Sequence, residues 1–241
     1  MNKPAAEDVA TDKLYQLQLA SSLKFPVPRT LVTNDPIRAR EFFDECEERV
    51  LFKAVSGGAW MRHTHSDEIV QAYGPRLAGQ PATPMPDAPA AVFIFSEILT
   101  KDRLSLLDHV RFAPVTFQEF IDKRFDIRIT MIGDALFACK IFSQEWRTTR
   151  VDFRRFVNAP DSTPRHEPCT LPPDVESRVR SLMERLDLSF GCIDLIVDSD
   201  DRYVFLEVNP AGQWGWIQQL TGMPISEAIV DELARLASTS Q

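Results

Sequence analysis

Lysine is scarce in this chain of 241 residues, with seven against twenty arginines. Each lysine inside an apolar segment therefore asks for a reason. Cysteine is scarce as well. The four are Cys46, Cys139, Cys169 and Cys192, and none makes a CxxC pair. That spacing argues against a zinc site or a disulfide scaffold and fits reduced thiols. No run approaches the ~18 apolar residues of a membrane-spanning helix. The opening stretch from Met1 to Asp8 lacks the apolar core of a signal peptide. A cytoplasmic location is the expectation. Basic residues number 27 against 35 acidic ones, for a net charge of −8. Such a surface repels phosphate backbones, so neither nucleic acid nor a membrane is expected as a partner. A local basic pocket stays open.

What is present is ordinary globular composition, 44% hydrophobic and 26% charged. The length suits one large domain or two lobes around a shared cleft. Residues 1–10 are small and polar and are expected to be disordered. Thr11 or Asp12 caps a helix to about Ser22, stopped by Phe25-Pro26-Val27-Pro28. Residues 29–33 read as a strand. Asp35 and Pro36 open a second helix, and Val50 to Val55 form another strand, followed by Ser56-Gly57-Gly58. The prolyl segment 74–90 is a connection. Residues 91–95 and 115–121 are strand-like. Two hairpins follow, 127–132 with 135–141 and 192–197 with 203–208, turning at Gly133-Asp134 and at residues 198–201. A helix runs from Pro173 to about Leu186, and Pro224 opens the last one. The fold class is α+β, antiparallel hairpins with flanking helices.

The second hairpin carries the most specific chemistry. Asp194 lies on one strand, and Glu207 and Asn209 end the next. Period-two alternation puts Glu207 and Asn209 on one face, with Leu206 and Val208 on the other. Asp194 can face the same side across the turn. Two carboxylates and an amide oxygen are hard ligands suited to Mg²⁺, which keeps other positions for water and phosphate. The plainer reading is an acidic, solvated hairpin face. Lys53 is the second signal, an ammonium amid Leu51, Phe52 and Val55 that needs a partner or an exit to solvent. The glycine turn after it can bring backbone N–H groups to phosphate oxygens. Its plainer reading is a lysine snorkelling from an edge strand. Arg128 and Lys140, on paired strands, add positive charge that with Lys53 balances a triphosphate. Cross-strand pairing with local acids is the alternative.

The ordered set of these pieces resembles the ATP-grasp superfamily of carboxylate–amine ligases. It comprises Asp12-Lys13, Lys53, Gln118-Glu119-Phe120-Ile121, Asp126-Ile127-Arg128, Lys140, Asp152-Phe153-Arg154, Asp194 and Glu207-Val208-Asn209, and it covers residues 11–237. Within the superfamily the chain looks most like the microviridin-type peptide ligases, the graspetide maturases. Gly191 to Leu195 and the aromatic-bearing tail from Tyr203 through Trp214, Trp216 and Pro224 carry that likeness. The aromatic-bearing tail after Asn209 separates this group from the ribosomal-protein glutamate ligases.

The resemblance implies an ATP-grasp fold of two α+β lobes, whose antiparallel sheets clasp a nucleotide cleft. The lid lobe would span about 45–118, the core lobe about 119–237 plus the N-terminal helix, and residues 238–241 a tail. It implies that Lys13 and Lys53 contact ATP phosphates, with Gly57 and Gly58 beside them. Backbone groups at Glu119, Phe120 and Ile121 would meet adenine, and Asp126 the ribose. Arg128, Lys140 and Arg154 would hold the γ-phosphate or acyl-phosphate, and Asp194, Glu207 and Asn209 two Mg²⁺ ions. The implied reaction activates a carboxylate as an acyl-phosphate and joins it to an amine or hydroxyl. Its substrate would be a ribosomally made precursor peptide that becomes a macrocycle, or a small carboxylate. An amino-acid ligase and a non-catalytic nucleotide- or peptide-binding module are the alternatives. Such ligases usually carry roughly a hundred residues, a small domain's length, before the Lys13 position, where this chain has about ten. The chain is then a truncated relative, or a partner protein or homo-oligomer supplies that part.

Other features are read plainly. His63 and His65 are two ligands without a site. Trp214 and Trp216 pack. Cys139 and Cys192 are small core residues.

Overall fold

The computed structural model describes residues 1–54, 59–60, 92–93, 95–158 and 160–239. The glycine pair Gly57 and Gly58, the histidines His63 and His65, and the prolyl segment 74–90 lie outside the described residues.

The N-terminus corrects the expectation of disorder. Helix α1 spans Pro4–Ala10, with Pro4 in its first turn and Ala6 and Ala10 buried. Asn2 ties the segment down. Its amide nitrogen donates to the carbonyls of Phe190 (2.9 Å) and Pro210 (3.1 Å). Its amide oxygen accepts from the backbone nitrogens of Ser189 (3.0 Å) and Phe190 (2.8 Å). Small polar composition suggested fraying, and long-range pairing by one side chain overrides it. Helix α2 spans Lys13–Ser22, and the Asp12 carboxylate caps it by accepting from Leu14 and Tyr15 amides. Asp35 does the same for α3, Pro36–Glu45.

The smaller sheet has four antiparallel strands in the order β1-β6-β2-β5. They are β1 Thr30–Thr33, β2 Val50–Ala54, β5 Glu97–Ile98 and β6 Val115–Glu119. Strands β3 Ala59–Trp60 and β4 Val92–Phe93 pair separately. Register sorts the side chains. Phe52 pairs with Phe117 and Leu31 with Phe117, while Leu51 and Thr30 both pair with Gln118. One face is therefore apolar. It packs under α3 and the 3₁₀ segment Lys101–Phe112 through Phe42, Phe43, Val50, Leu107 and Val110. The other face carries Thr30, Gln118 and Lys53. Strand β1 and helix α3 belong to this lobe, so it begins near Thr30 rather than near residue 45. Lys53 lies on an internal strand, not an edge.

The larger sheet has the order β11-β10-β7-β8-β9, all antiparallel. Its strands are β7 Lys123–Ile132, β8 Ala135–Ile141, β9 His166–Cys169, β10 Phe190–Asp198 and β11 Tyr203–Asn209. Both predicted hairpins are present. Gly133 takes the left-handed conformation in the first turn (φ 52°), a backbone setting that favours glycine. One face is covered by α2 and by α4, Pro173–Arg185. Its core joins Leu17, Ala20, Val175, Val179 and Leu182 to Ile127, Ile129, Ile193 and Leu195. The opposite face is divided. At one end Ile132, Cys139, Cys192 and Phe190 pack on α5, Gly215–Thr221, and α6, Ile225–Thr239. At the other end the same face is charged. Helix α6 continues through Thr239, so the expected tail from residue 238 is partly helical. Trp216 packs against Phe153 and Phe156, with ring centroids 5.8 and 5.7 Å apart.

Candidate active site

The charged end of the large sheet meets the polar face of the small one in a solvent-open cleft. Lys53, Glu119, Phe120, Ile121, Asp126, Arg154, Asp194 and Glu207 all line it. Eight of the residues singled out by sequence thus share one cavity.

Asp194 and Glu207 are register partners across β10 and β11. Cross-strand partners point to one side of a sheet, so the two carboxylates face the cleft together. Each has a cation of its own. Arg128 Nη1 donates to Asp194 Oδ2 at 2.7 Å from the adjoining strand β7, where the two are again register partners. Lys13 Nζ donates to Glu207 Oε2 at 2.5 Å. Lys13 is the first residue of α2, and Gln16, one turn on, fixes that helix. The Gln16 amide donates to the Val208 carbonyl (2.8 Å) and accepts from the Val208 amide (2.7 Å). The sheet edge is thereby extended by a side chain, one residue from Glu207.

Desolvation and neighbouring charge drive the two carboxyls apart. Burial pushes the Asp194 carboxyl up, against the pull of Arg128. Burial acts on Glu207 in the same sense, but Lys13 and Lys53 outweigh it and hold Glu207 down at about 2. Burial also draws the Lys53 ammonium below the usual lysine range, against the attraction of Glu207. Lys53 donates to Gln118 Oε1 at 2.6 Å.

Asp194 Oδ1 is buried and has no hydrogen-bond partner among the described residues. A buried carboxylate oxygen without a partner is costly, and a cation in the cleft would satisfy it. Among the described residues no three His, Cys, Asp or Glu side chains gather as a metal cluster. The donor set is therefore two carboxylates with room for ligand oxygens, which is how Mg²⁺ is ordinarily held beside phosphates. Asn209 is not part of the cleft lining. It is exposed at the end of β11, and its amide oxygen accepts from the Ala211 nitrogen (3.1 Å).

Arg128 braces Asp194 and also donates to the Gln213 carbonyl (3.1 Å). Its side chain is 8% exposed, so it acts on the cleft through Asp194. Arg154 lies on the cleft wall and is gripped by Asp152 through two hydrogen bonds, at 2.8 and 2.6 Å. That carboxylate raises the Arg154 guanidinium further above its ordinary value. Asp152 also accepts from the Ser96 amide (3.0 Å), linking the segment to the smaller lobe. Asp126 pairs with Lys123 at 2.7 Å, and Lys123 reaches the Val151 carbonyl (3.3 Å). At the hinge the Glu119 amide donates to the Arg29 carbonyl (2.9 Å), while the Arg29 amide turns to the Glu119 carboxylate (3.3 Å).

Lys140 is a correction. It pairs in register with Ile127, whereas Arg128 pairs with Cys139. A one-residue offset in a strand reverses the face. Lys140 is thus on the far side of the sheet from Asp194, 4.2 Å over the Phe125 ring. Leu206 is a second correction. A bulge lies between the pairs Asp194–Glu207 and Leu195–Phe205, leaving Leu206 unpaired. Leu206 and Glu207 both line the cleft as a result. Gln118, Lys123 and Asp152 line it too and had no separate role assigned from sequence. Their signal was proximity to the quoted motifs, which does not reveal who pairs with whom.

A RiPP-associated ATP-grasp ligase of Chryseobacterium gregarium, solved with ADP and a leader and core peptide, is 28% identical with a TM-score of 0.77. That match covers 97% of this chain and 62% of the other. The macrocyclase MdnC of Microcystis aeruginosa, bound to its precursor peptide MdnA, is 30% identical with a TM-score of 0.74, over 97% and 63%. The macrocyclase MdnB of the same organism is 28% identical with a TM-score of 0.65, over 95% and 61%. The chain therefore spans about three fifths of the length of these structures. No protein-family model and no curated protein matches it.

Proposed function

Because this chain has the ATP-grasp fold in the form shared by RiPP-associated ATP-grasp ligases, we propose that it is the nucleotide-binding and catalytic portion of an ATP-dependent ligase. Its reaction activates a side-chain carboxylate of a precursor peptide and joins it to a hydroxyl or amine of the same peptide. The observation that carries this reading is the single cleft with Asp194 facing Glu207 on one wall and Lys53 on the other.

A carboxylate resists attack because resonance and negative charge disfavour it. In the reaction proposed, a carboxylate oxygen attacks the γ-phosphorus of ATP and the bond to ADP breaks. The acyl-phosphate then has a leaving group. A hydroxyl or amine attacks the acyl carbon, phosphate departs, and the nucleophile's proton is lost. Such catalysis rests on positioning and on charge neutralisation.

The chain's own residues supply both. Lys53, Lys13 and Arg154 bring positive charge to one end of the cleft, where phosphate oxygens would lie. Glu119, Phe120 and Ile121 line the wall against which the base would lie, and Leu206 would be its apolar floor. Asp126, held by Lys123, would meet a ribose hydroxyl. Asp194 and Glu207 would hold Mg²⁺, with Asn209 at the rim of that set. The ion would neutralise phosphate charge when bound. Arg128 orients Asp194 from below.

ATP consumption with Mg²⁺ tests the reading. Phosphate release that requires a peptide bearing both acidic and hydroxyl side chains, with loss of one water per cross-link in the product mass, is the expected result. Nucleotide binding without turnover on any such peptide would leave a binding module instead. The relatives' remaining length would come from further residues, from a partner protein or from a second copy. The oligomeric state of the active preparation distinguishes these sources.

A further inference from the structure

We propose that Thr30 and Gln118 are positioning residues for Lys53, joined to it by a hydrogen-bond chain whose direction is set at its far end by the Pro28 carbonyl. The inference rests on the reading of the cleft as a nucleotide site.

Three adjacent strands build the chain. Thr30 on β1 and Leu51 on β2 are both register partners of Gln118 on β6, and Lys53 lies two residues beyond Leu51 on the same face. Thr30 Oγ1 donates to the Pro28 carbonyl at 3.0 Å. Gln118 Nε2 donates to Thr30 Oγ1 at 3.1 Å. Lys53 Nζ donates to Gln118 Oε1 at 2.6 Å.

The donors and acceptors permit one orientation. A carbonyl only accepts, so in its bond to Pro28 the Thr30 hydroxyl is the donor and its proton points there. A threonine hydroxyl has one proton, so toward Gln118 it can only accept. The glutamine therefore turns its NH₂ to Thr30 and its carbonyl the other way, toward Lys53. An ammonium has donors alone and needs that carbonyl. A flipped Gln118 would set NH₂ against NH₃⁺ at one end, and at the other the Thr30 hydroxyl could donate to the glutamine oxygen only by giving up the Pro28 carbonyl. Gln118 is 3% exposed, so bulk water does not compete for the amide. The orientation of a glutamine amide is normally ambiguous; here the network has one solution. One ammonium proton of Lys53 is thus fixed on the strand side, and the other two are left for anionic oxygens in the cleft.

Binding of MgADP to the full chain, read by calorimetry, provides the test. Gln118→Leu is expected to weaken ADP about tenfold or more, since a hydrogen bond to a charged group is lost. Thr30→Val is expected to weaken it about threefold by freeing the amide, and Thr30→Ser to restore wild-type binding. In turnover assays KM for ATP should rise while kcat changes much less. A cycle with Lys53→Met separates positioning from general structure. With Lys53 removed, Gln118→Leu should have no further effect on ADP. An undiminished effect of Gln118→Leu in that background overturns the proposal, as does wild-type ADP binding by Gln118→Leu and Thr30→Val. A wild-type chain that binds no ADP overturns the nucleotide reading, and this inference with it.

Discussion

Asp194 and Glu207 are register partners held by different cations: Arg128 grips the first from β7, and Lys13 grips the second from the start of α2. Two like charges side by side are thereby separated in electrostatic environment. With their cations the pair connects four elements, β7, β10, β11 and α2, so disturbance of either cation reaches the cleft.

Glu207→Gln should abolish turnover and keep the fold. The amide is isosteric but loses the charge that Lys13 and a divalent ion would need. Its pH behaviour follows from a carboxyl held at about 2 against an ordinary 4.5. A depressed value means the charged form stabilises the fold above 4.5, and this contribution fades as pH falls toward 2. The stability gap between wild type and variant should shrink over that interval. Urea titrations at a series of acidic pH values would show it, and a gap that widened on acidification would contradict the assignment.

Lys140→Ala and Arg154→Ala should behave differently. Lys140 sits over Phe125, away from the cleft. Its loss should cost about 0.5–1 kcal/mol of stability and leave kcat/KM near wild type. Arg154 lines the cleft, so its loss should lower kcat/KM by about two orders of magnitude or more, the scale of losing one transition-state charge partner. Side-by-side kinetics settle which face of the sheet is chemical.

Gly212→Ala should damage the site from behind. A Cβ there would meet Cys192 Cβ at 2.4 Å, Cys192 Sγ at 2.7 Å and Arg128 Nη2 at 3.1 Å. The loop after Asn209 would have to lift. A destabilisation of about 1–3 kcal/mol is expected for such overpacking, with reduced turnover because Arg128 is disturbed. Denaturant midpoints and kcat measure the two effects separately.

Arg128→Met should cost more stability than any exposed pair. The ion pair with Asp194 is largely buried, the two side chains being 8% and 14% exposed. Removing one partner of a buried pair costs about 3–5 kcal/mol. Restoration of stability by the double change Arg128→Met with Asp194→Leu, without restoration of turnover, would separate structural from chemical roles.

Local chemistry in the sequence foretold much of this architecture. Asp12 and Asp35 cap their helices as their positions suggest, and both hairpins turn where glycine and aspartate cluster. The Asp194–Glu207 pairing was legible because alternation and a short turn leave little freedom. Lys140 was misplaced because facing depends on register with a neighbouring strand, and one residue decides it. Leu206 was misplaced because strict alternation has no place for a bulge. The order of the N-terminus was hidden because Asn2 finds its partners almost the whole chain away. Gln118 sat inside a recognised motif, yet its role needs three strands in place before donors and acceptors can be counted.

The four hydrogen bonds of Asn2 have a practical side. They tie the leading end of the polypeptide to residues 189–190 and to Pro210, beside the turn that follows Asn209. Residues joined ahead of Met1 would therefore emerge at the Phe190 end of the large sheet, away from its charged end.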